Sequence, residues 1–336
     1  MNTDATGFRH LLALTDQFGT FEHARYAEPR REDGYCTDDV ARLLVVALRE
    51  PEPTPEIREL MRGAFLFVAE AQGPTGNTRN RRAANGRWNG RRNVDDCWGR
   101  SLWAFGVAVE HRTDWLAQEA RTYFDRGAER RSPWPRAMAY AALGAGAVLR
   151  ADARSIRART LLADAAELIG RPAPDDAWPW PEPRLTYGNA LLPHALLEAG
   201  VVLDRPRLVE DGLRLLRWLL DRESTDGHLS VTPAGGSGPG ELGRFDQQPI
   251  EVATLAEACA YAAGLSGDPR WIAGVRMAAA WFDGDNDSGM PVWDPATGGS
   301  YDGLEAAGVN LNQGAESTIA LVATRQRARL VDRAMA

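Results

Sequence analysis

The sequence predicts an all-α fold, a double ring of six inner and six outer helices of the (α/α)6 toroid type, with 1–336 as a single domain. Three observations carry this. Apolar residues recur at helical spacing from end to end, and no run alternates with the period of a strand. The helical segments are of two kinds that alternate along the chain. The links between them are short on one side and long on the other.

The first kind is amphipathic and covers 6–18, 55–72, 114–130, 153–169, 206–222 and 269–283. In the fifth of these, Leu208, Gly212, Leu215, Leu216 and Leu219 share one face. Arg207, Glu210, Asp211, Arg214 and Arg217 share the other, as expected of a helix with one wet side. Thr54-Pro55 and Asp268-Pro269 each place a capping side chain before a proline at the first helical position. The second kind is apolar or small nearly all the way round and covers 38–49, 96–110, 133–149, 187–202, 249–264 and 314–328. A helix of that kind must be buried on every side, so the chain reads as outer and inner helix in turn, six times.

Links from inner to outer helices are short (50–54, 111–113, 150–152, 203–205, 265–268). Most links from outer to inner are long: 19–37, 73–95, 170–186, 223–248 and 284–313. Long loops in a compact fold are usually functional. These all arrive at the N-termini of inner helices, so they share one face of the ring, and the site is expected there.

Composition removes several classes of function. A net charge of −7 argues against a nucleic-acid partner, which wants a positive field. No apolar run is long enough for a membrane span, and Met1-Asn2-Thr3-Asp4 lacks the opening of a signal peptide. Cys36, Cys97 and Cys259 are odd in number and form no CxxC pair, so neither a disulfide framework nor a structural zinc site is expected. The five histidines show no metal spacing. The simplest reading is a cytoplasmic protein without metal or cofactor.

Each inner helix opens on a polar cluster. The first runs from Arg30 to Asp39 and contains Arg31, Tyr35, Asp38 and Asp39. The second holds Asp95, Asp96, Trp98 and Arg100, the third runs Ser132-Pro133-Trp134-Pro135-Arg136, and the fourth holds Trp178, Trp180, Tyr187 and Asn189. The fifth is Phe245-Asp246-Gln247-Gln248-Pro249-Ile250-Glu251, and the sixth runs from Asn310 to Thr318 through Asn312, Gln313 and Glu316. Tryptophans in the loops, Trp88 and Trp293 among them, add aromatic surface. This inventory suits a sugar: carboxylates and amides pair with vicinal hydroxyls, and indoles stack on the apolar faces of pyranoses. Hydrolysis needs in addition one protonated and one ionised carboxylate. Asp38, Asp39, Asp96, Glu251 and Glu316 are the catalytic candidates. Arg31, Tyr35, Asp95, Trp98, Arg100, Trp134, Trp180, Tyr187, Asn189, Asp246, Gln247, Gln248, Trp293, Asn312 and Gln313 are the candidates for holding substrate.

A plainer role competes with each. An Asp at a helix start is most often a cap or a partner of the helix dipole. Glu251 and Glu316 resist that reading, because they lie inside otherwise apolar helices and a carboxylate there needs a partner or a purpose. The helix N-termini are expected to lower the pKa of these acids and so favour a base role. Residues 79–92 carry six arginines in fourteen positions, either a grip for a uronate or phosphate or a solvated basic loop. His194 reads as a core histidine.

The order of the clusters resembles a bacterial family of six-hairpin glycosidase-like proteins, often found beside or fused to glycosyltransferases. The segments that carry the likeness are Asp33–Arg42, Asp96 with Gly99-Arg100, Thr186–Ala190, Phe245–Glu251 and Asn312–Thr318. The likeness covers nearly the whole chain and departs in the arginine-rich second loop. It implies the toroid fold, a carbohydrate ligand and a functional association with a glycosyltransferase. Hydrolases of this type look mostly inverting, and by position the resemblance suggests Asp38 or Asp39 paired with Asp96. The expected function is therefore an inverting glycoside hydrolase acting on an oligosaccharide or glycoside, an anionic one if the arginine-rich loop grips it. The alternatives are a sugar epimerase or isomerase, with His194 and His228 as the only plausible histidine bases, and a non-catalytic glycan-binding partner of a glycosyltransferase.

Overall fold

The computed structural model describes residues 5–111, 114–241 and 243–335. Among them twelve α-helices follow one another in the expected alternation. The outer helices are α1 (Ala5–Ala13), α3 (Pro55–Ala71), α5 (Asp114–Gly127), α7 (Ile156–Ile169), α9 (Pro206–Arg222) and α11 (Pro269–Phe282). The inner ones are α2 (Thr37–Leu48), α4 (Asp96–His111), α6 (Pro135–Ala151), α8 (Leu191–Val202), α10 (Pro249–Ser266) and α12 (Ala315–Met335). The inner helices pack in the cyclic order α2, α4, α6, α8, α10, α12 and back to α2, and this closes the ring.

Burial follows the two residue patterns. Every residue of α2 except Asp38 is buried, as is nearly all of α6. In α9 only Gly212, Leu215, Leu216, Leu219 and Leu220 are buried, the face that packs inward. The caps form as read: the Thr54 hydroxyl accepts from the Ile57 N–H at 3.4 Å, and Asp268 accepts from the Arg270 N–H at 2.9 Å.

Glycine permits a close approach between two inner helices. A Cβ on Gly106 would lie 2.2 Å from the Gly144 carbonyl oxygen, and one on Gly144 would lie 2.2 Å from that of Leu102. The backbones of α4 and α6 touch there, and no side chain fits between them.

Three boundaries differ most from the sequence reading. Helix α1 stops at Ala13 because Thr15–Asp16 turns back to pair with Gly19–Thr20. Helix α8 begins at Leu191 and not at 187, because Tyr187, Gly188 and Asn189 form a turn with Gly188 at φ 55°. Helix α12 runs on to Met335. The long loops also contain strands of two or three residues, including a three-stranded patch of 35–36, 81–82 and 88–89. Strands that short present no alternation for a sequence to reveal.

Candidate functional site

Three inner helices bring their first turns to one mouth of the ring, where the charges form two adjacent sets. Asp38 and Asp39 open α2, Asp96 opens α4, and Glu316 lies in the first turn of α12. One turn further down, Arg42 and Arg100 stand on the same faces as the acids that precede them by three and four residues. Arg100 meets Asp38 at 2.8 Å and Asp96 at 3.4 Å. A single Arg42 nitrogen meets Asp39 at 2.5 Å and Glu316 at 2.7 Å. Beneath them lies the ring of Tyr140, 4.7 Å from the Arg100 guanidinium carbon.

Above this network is an open cavity of about 410 Å³ lined by Asp38, Asn80, Asp95, Asp96, Arg100, Trp134 and Tyr187. The Tyr187 hydroxyl donates to Asp96 at 3.0 Å, and Asn80 donates to Asp38 at 2.8 Å. Trp134 is 57% exposed and Tyr187 44%, so both aromatic rings are available to a ligand. Asp95 is exposed at the rim. Arg136 holds the tyrosine in place: it donates to the Tyr187 carbonyl and to Asn189 Oδ1 at 3.2 Å, and it is anchored by Glu182 at 2.6 Å.

Contrary to the expectation from sequence, the helix starts do not lower all of these acids. Burial raises the Asp39 carboxyl to about 6, with Arg42 pulling the other way, and raises Asp96 above the ordinary carboxylate range. Burial also acts to raise Glu316, but Arg42 and Arg100 overcome it and hold that group below the usual range. The result is one poised acid beside one ionised neighbour.

Several expected site residues lie elsewhere. Glu251 is buried and accepts from the backbone N–H groups of Gly188 and Asn189, at 2.6 and 3.3 Å, so it builds the Tyr187 turn from behind. Burial raises it to about 8. Asn189 is itself fully buried in that turn. Tyr35 stacks on Phe21 and donates to Asp16, and Trp98 donates to the Gly127 carbonyl. Trp180 stacks on Trp218 of α9, and Gln247 accepts from Trp281. Gln313 accepts from Thr297. All five are core side chains, because an aromatic ring or amide beside an apolar helix is drawn inward once its polar atom finds a partner. Arg31, Asp246, Gln248, Trp293 and Asn312 lie on loops that do not line this cavity. Trp293 is covered by Arg325 at 4.1 Å. Of the loop tryptophans only Trp134 faces the cavity.

Within the arginine-rich loop, Arg82 packs against Phe18, Phe67 and Trp88 and pairs with Glu70 at 3.1 Å, while Arg81 pairs with Glu22. Those two arginines fasten the loop. The histidines named for epimerase chemistry are away from the cavity. His228 pairs with Asp287 at 3.1 Å, and His194 is buried deep in the ring against Tyr261. Glu22, Cys36 and Asp39 bring one potential metal-ligand atom each to within 4.8 Å of one another. Arg81 and Arg42 occupy the two carboxylates, so a cation there would face both guanidiniums. Arg42, Arg100 and Arg136 share a signal in the sequence, a charged residue one turn or less inside an otherwise apolar helix. That signal points to Glu251 and Glu316, while Arg42, Arg136 and the loop residue Asn80 are not among the residues the sequence proposes for catalysis or binding.

No protein-family model matches the chain, and no curated protein matches its sequence. Solved structures do share its fold. A sugar epimerase from a ruminal bacterium superposes with a TM-score of 0.76 at 12% identity, over 98% of this chain and 96% of that one. A cellobiose 2-epimerase from Spirochaeta thermophila does so with 0.74 at 13% identity, over 99% and 96%. A metagenome-derived glycoside hydrolase family 9 endoglucanase reaches 0.58 at 12% identity, over 97% and 80%. The chain is thus an (α/α)6 toroid. At these identities the likeness speaks to the fold alone.

Proposed function

We propose that this protein is a sugar epimerase or isomerase working in the Asp96–Tyr187–Arg100 cavity beneath Trp134. The observation that carries the reading is the Tyr187 hydroxyl donating to Asp96 at 3.0 Å in an open, polar, aromatic-walled cavity. In this reaction a base removes the proton next to the carbonyl of the open-chain sugar. The developing oxyanion is stabilised by donors, and the base returns the proton to the neighbouring carbon, or to the opposite face of the same carbon once the enediolate has turned over in the cavity. Asp96 is the base, strengthened by burial. Tyr187 and Arg100 are the donors, and Trp134 supports the sugar's apolar face. The base is then a carboxylate, since neither His194 nor His228 reaches the cavity. The likeness to two epimerases supports this class.

Hydrolysis is the second reading. The raised Asp39 beside an ionised Glu316 supports it, as does the likeness to an endoglucanase. Against it, Arg42 stands between those two carboxylates, where a glycosidic oxygen or a water would have to sit.

One experiment separates the two. The protein is incubated in D2O with a panel of aldoses, ketoses and β-linked disaccharides and followed by NMR. Epimerisation or isomerisation yields a sugar of unchanged length with deuterium on the reacting carbon. Hydrolysis yields shorter sugars without it. If no substrate gains deuterium, or Asp96→Asn leaves the exchange intact, the proposal fails.

A further inference from the structure

The arginine-rich segment 79–92 is a ribbon that rises from the wall of the Asp96 cavity. Asn80 and Asn93, one near each end of it, both line that cavity. Its two arms are tied at the base, where Thr78 and Asn93 exchange backbone hydrogen bonds of 3.0 and 2.9 Å. Further out Arg81–Arg82 pairs with Trp88–Asn89, and the Ala83 N–H donates to the Arg87 carbonyl at 2.9 Å. Arg82 fills the space between Phe18, Phe67 and Trp88, and Trp88 packs against the core. The ribbon is therefore a fastened element of the mouth and not a solvated coil.

Its charges are unbalanced. Of six arginines, only Arg81 and Arg82 meet a carboxylate, those of Glu22 and Glu70. Arg79, Arg87, Arg91 and Arg92 form no ion pair among the described residues. Arg79 and Arg92 are half-buried, whereas Arg87 and Arg91 are exposed. Even with the exposed Asp95 counted in, six guanidiniums stand against three carboxylates. The cavity has the opposite balance, with Asp38, Asp95 and Asp96 around the single Arg100. The backbone of Arg91 is no more than about 7 Å from that of Asn93 in the cavity wall, and Arg87 no more than about 14 Å beyond it.

We infer that the substrate is an acidic oligosaccharide, with an uncharged reducing-end sugar in the Asp96 cavity and its anionic groups on Arg91 and Arg87. The acidic walls exclude a negative charge from the reacting sugar, and the ribbon takes the charge on the next units outward. A guanidinium grips a carboxylate or a phosphate through paired N–H groups. The fastened backbone lowers the cost of ordering that grip. The reacting end rests on the epimerase or isomerase reading; the grip of the ribbon does not.

The test is isothermal titration calorimetry of the full chain with a β-linked glucose disaccharide in three forms: neutral, with a carboxylate at C6 of the non-reducing unit, and with a phosphate there. At low salt the better anionic form should bind at least tenfold more tightly than the neutral one, and it identifies the anionic group. In 0.5 M NaCl the advantage should shrink severalfold. Arg87→Ala/Arg91→Ala should lose at least fivefold of it. Arg205→Ala/Arg207→Ala, which removes the same charge from the exposed start of α9, should keep it, with circular dichroism checking that both variants are folded. Equal binding of the three forms, or an equal loss in both variants, would overturn the inference. The two readings fail separately. An anionic disaccharide bound through the ribbon without deuterium exchange sinks the epimerase or isomerase reading alone. Exchange in the neutral disaccharide, with no advantage from either charge, sinks the ribbon alone.

Discussion

Two arginines each hold two acids at the upper mouth, and the chemistry differs between the two sets. Asp96 keeps one contact with Arg100 and one with Tyr187 while facing the cavity. Replacing it with Asn removes the base and retains the shape, so kcat should fall by about 10³ with little change in KM. Tyr187→Phe removes one oxyanion donor and should lower kcat by about 10². Both are read from the rate of deuterium incorporation. Arg42 is a different case, because it is buried and its removal leaves Asp39 and Glu316 facing each other uncompensated. Arg42→Met should cost about 3–5 kcal/mol in denaturant unfolding at pH 8. The loss should shrink at pH 5, where the freed carboxylates can protonate. A loss that does not change with pH would mean the ion pairs contribute little.

The helices place these residues through packing that tolerates little change. Gly144 lies where α6 meets α4 backbone to backbone. Gly144→Ala should therefore destabilise by about 1–3 kcal/mol, as overpacking does. Gly63, on the exposed side of α3, has open space where its Cβ would be. There the same substitution should stabilise by about 0.5–1 kcal/mol, because alanine is the better helix former. Paired chemical denaturation curves measure both. If the two substitutions shift stability in the same direction, the close approach of α4 and α6 is not what it is taken to be.

At the scale of the whole molecule, buried acids shape the response to pH. Burial raises Glu251 to about 8 and Glu223 to about 7. In each case the folded value lies above the unfolded one, so the native state retains a proton that the unfolded chain has already released. Stability from these groups is complete below about pH 4.5. It is lost as the pH rises through 7 and 8. Each tenfold change in acidity corresponds to about 1.4 kcal/mol, so Tm should decline measurably from pH 5 to pH 8.5. Glu251→Gln should flatten that decline, and an unchanged slope would rule Glu251 out as its source.

The alternation of wet-sided and all-apolar helices, the asymmetry of the links and the polar openings of the inner helices were all legible along the chain. Each is a local property of composition and spacing, and together they are enough to imply a ring with one functional mouth. The convergence of Asp38, Asp39, Asp96 and Glu316 followed from that ring. What the chain could not reveal was direction and partner. Trp98, Trp180, Tyr35 and Gln247 have the residue types of a sugar site yet turn into the core, while Trp134 turns out. Glu251 proved to be the support of a turn, and Arg42 and Arg136 proved to organise the acids and the tyrosine. Which way a side chain points, and which distant group meets it, depends on contacts between residues far apart in sequence. Desolvation and the arginine charges depend on the same contacts, which is why they govern the acidity of the cup.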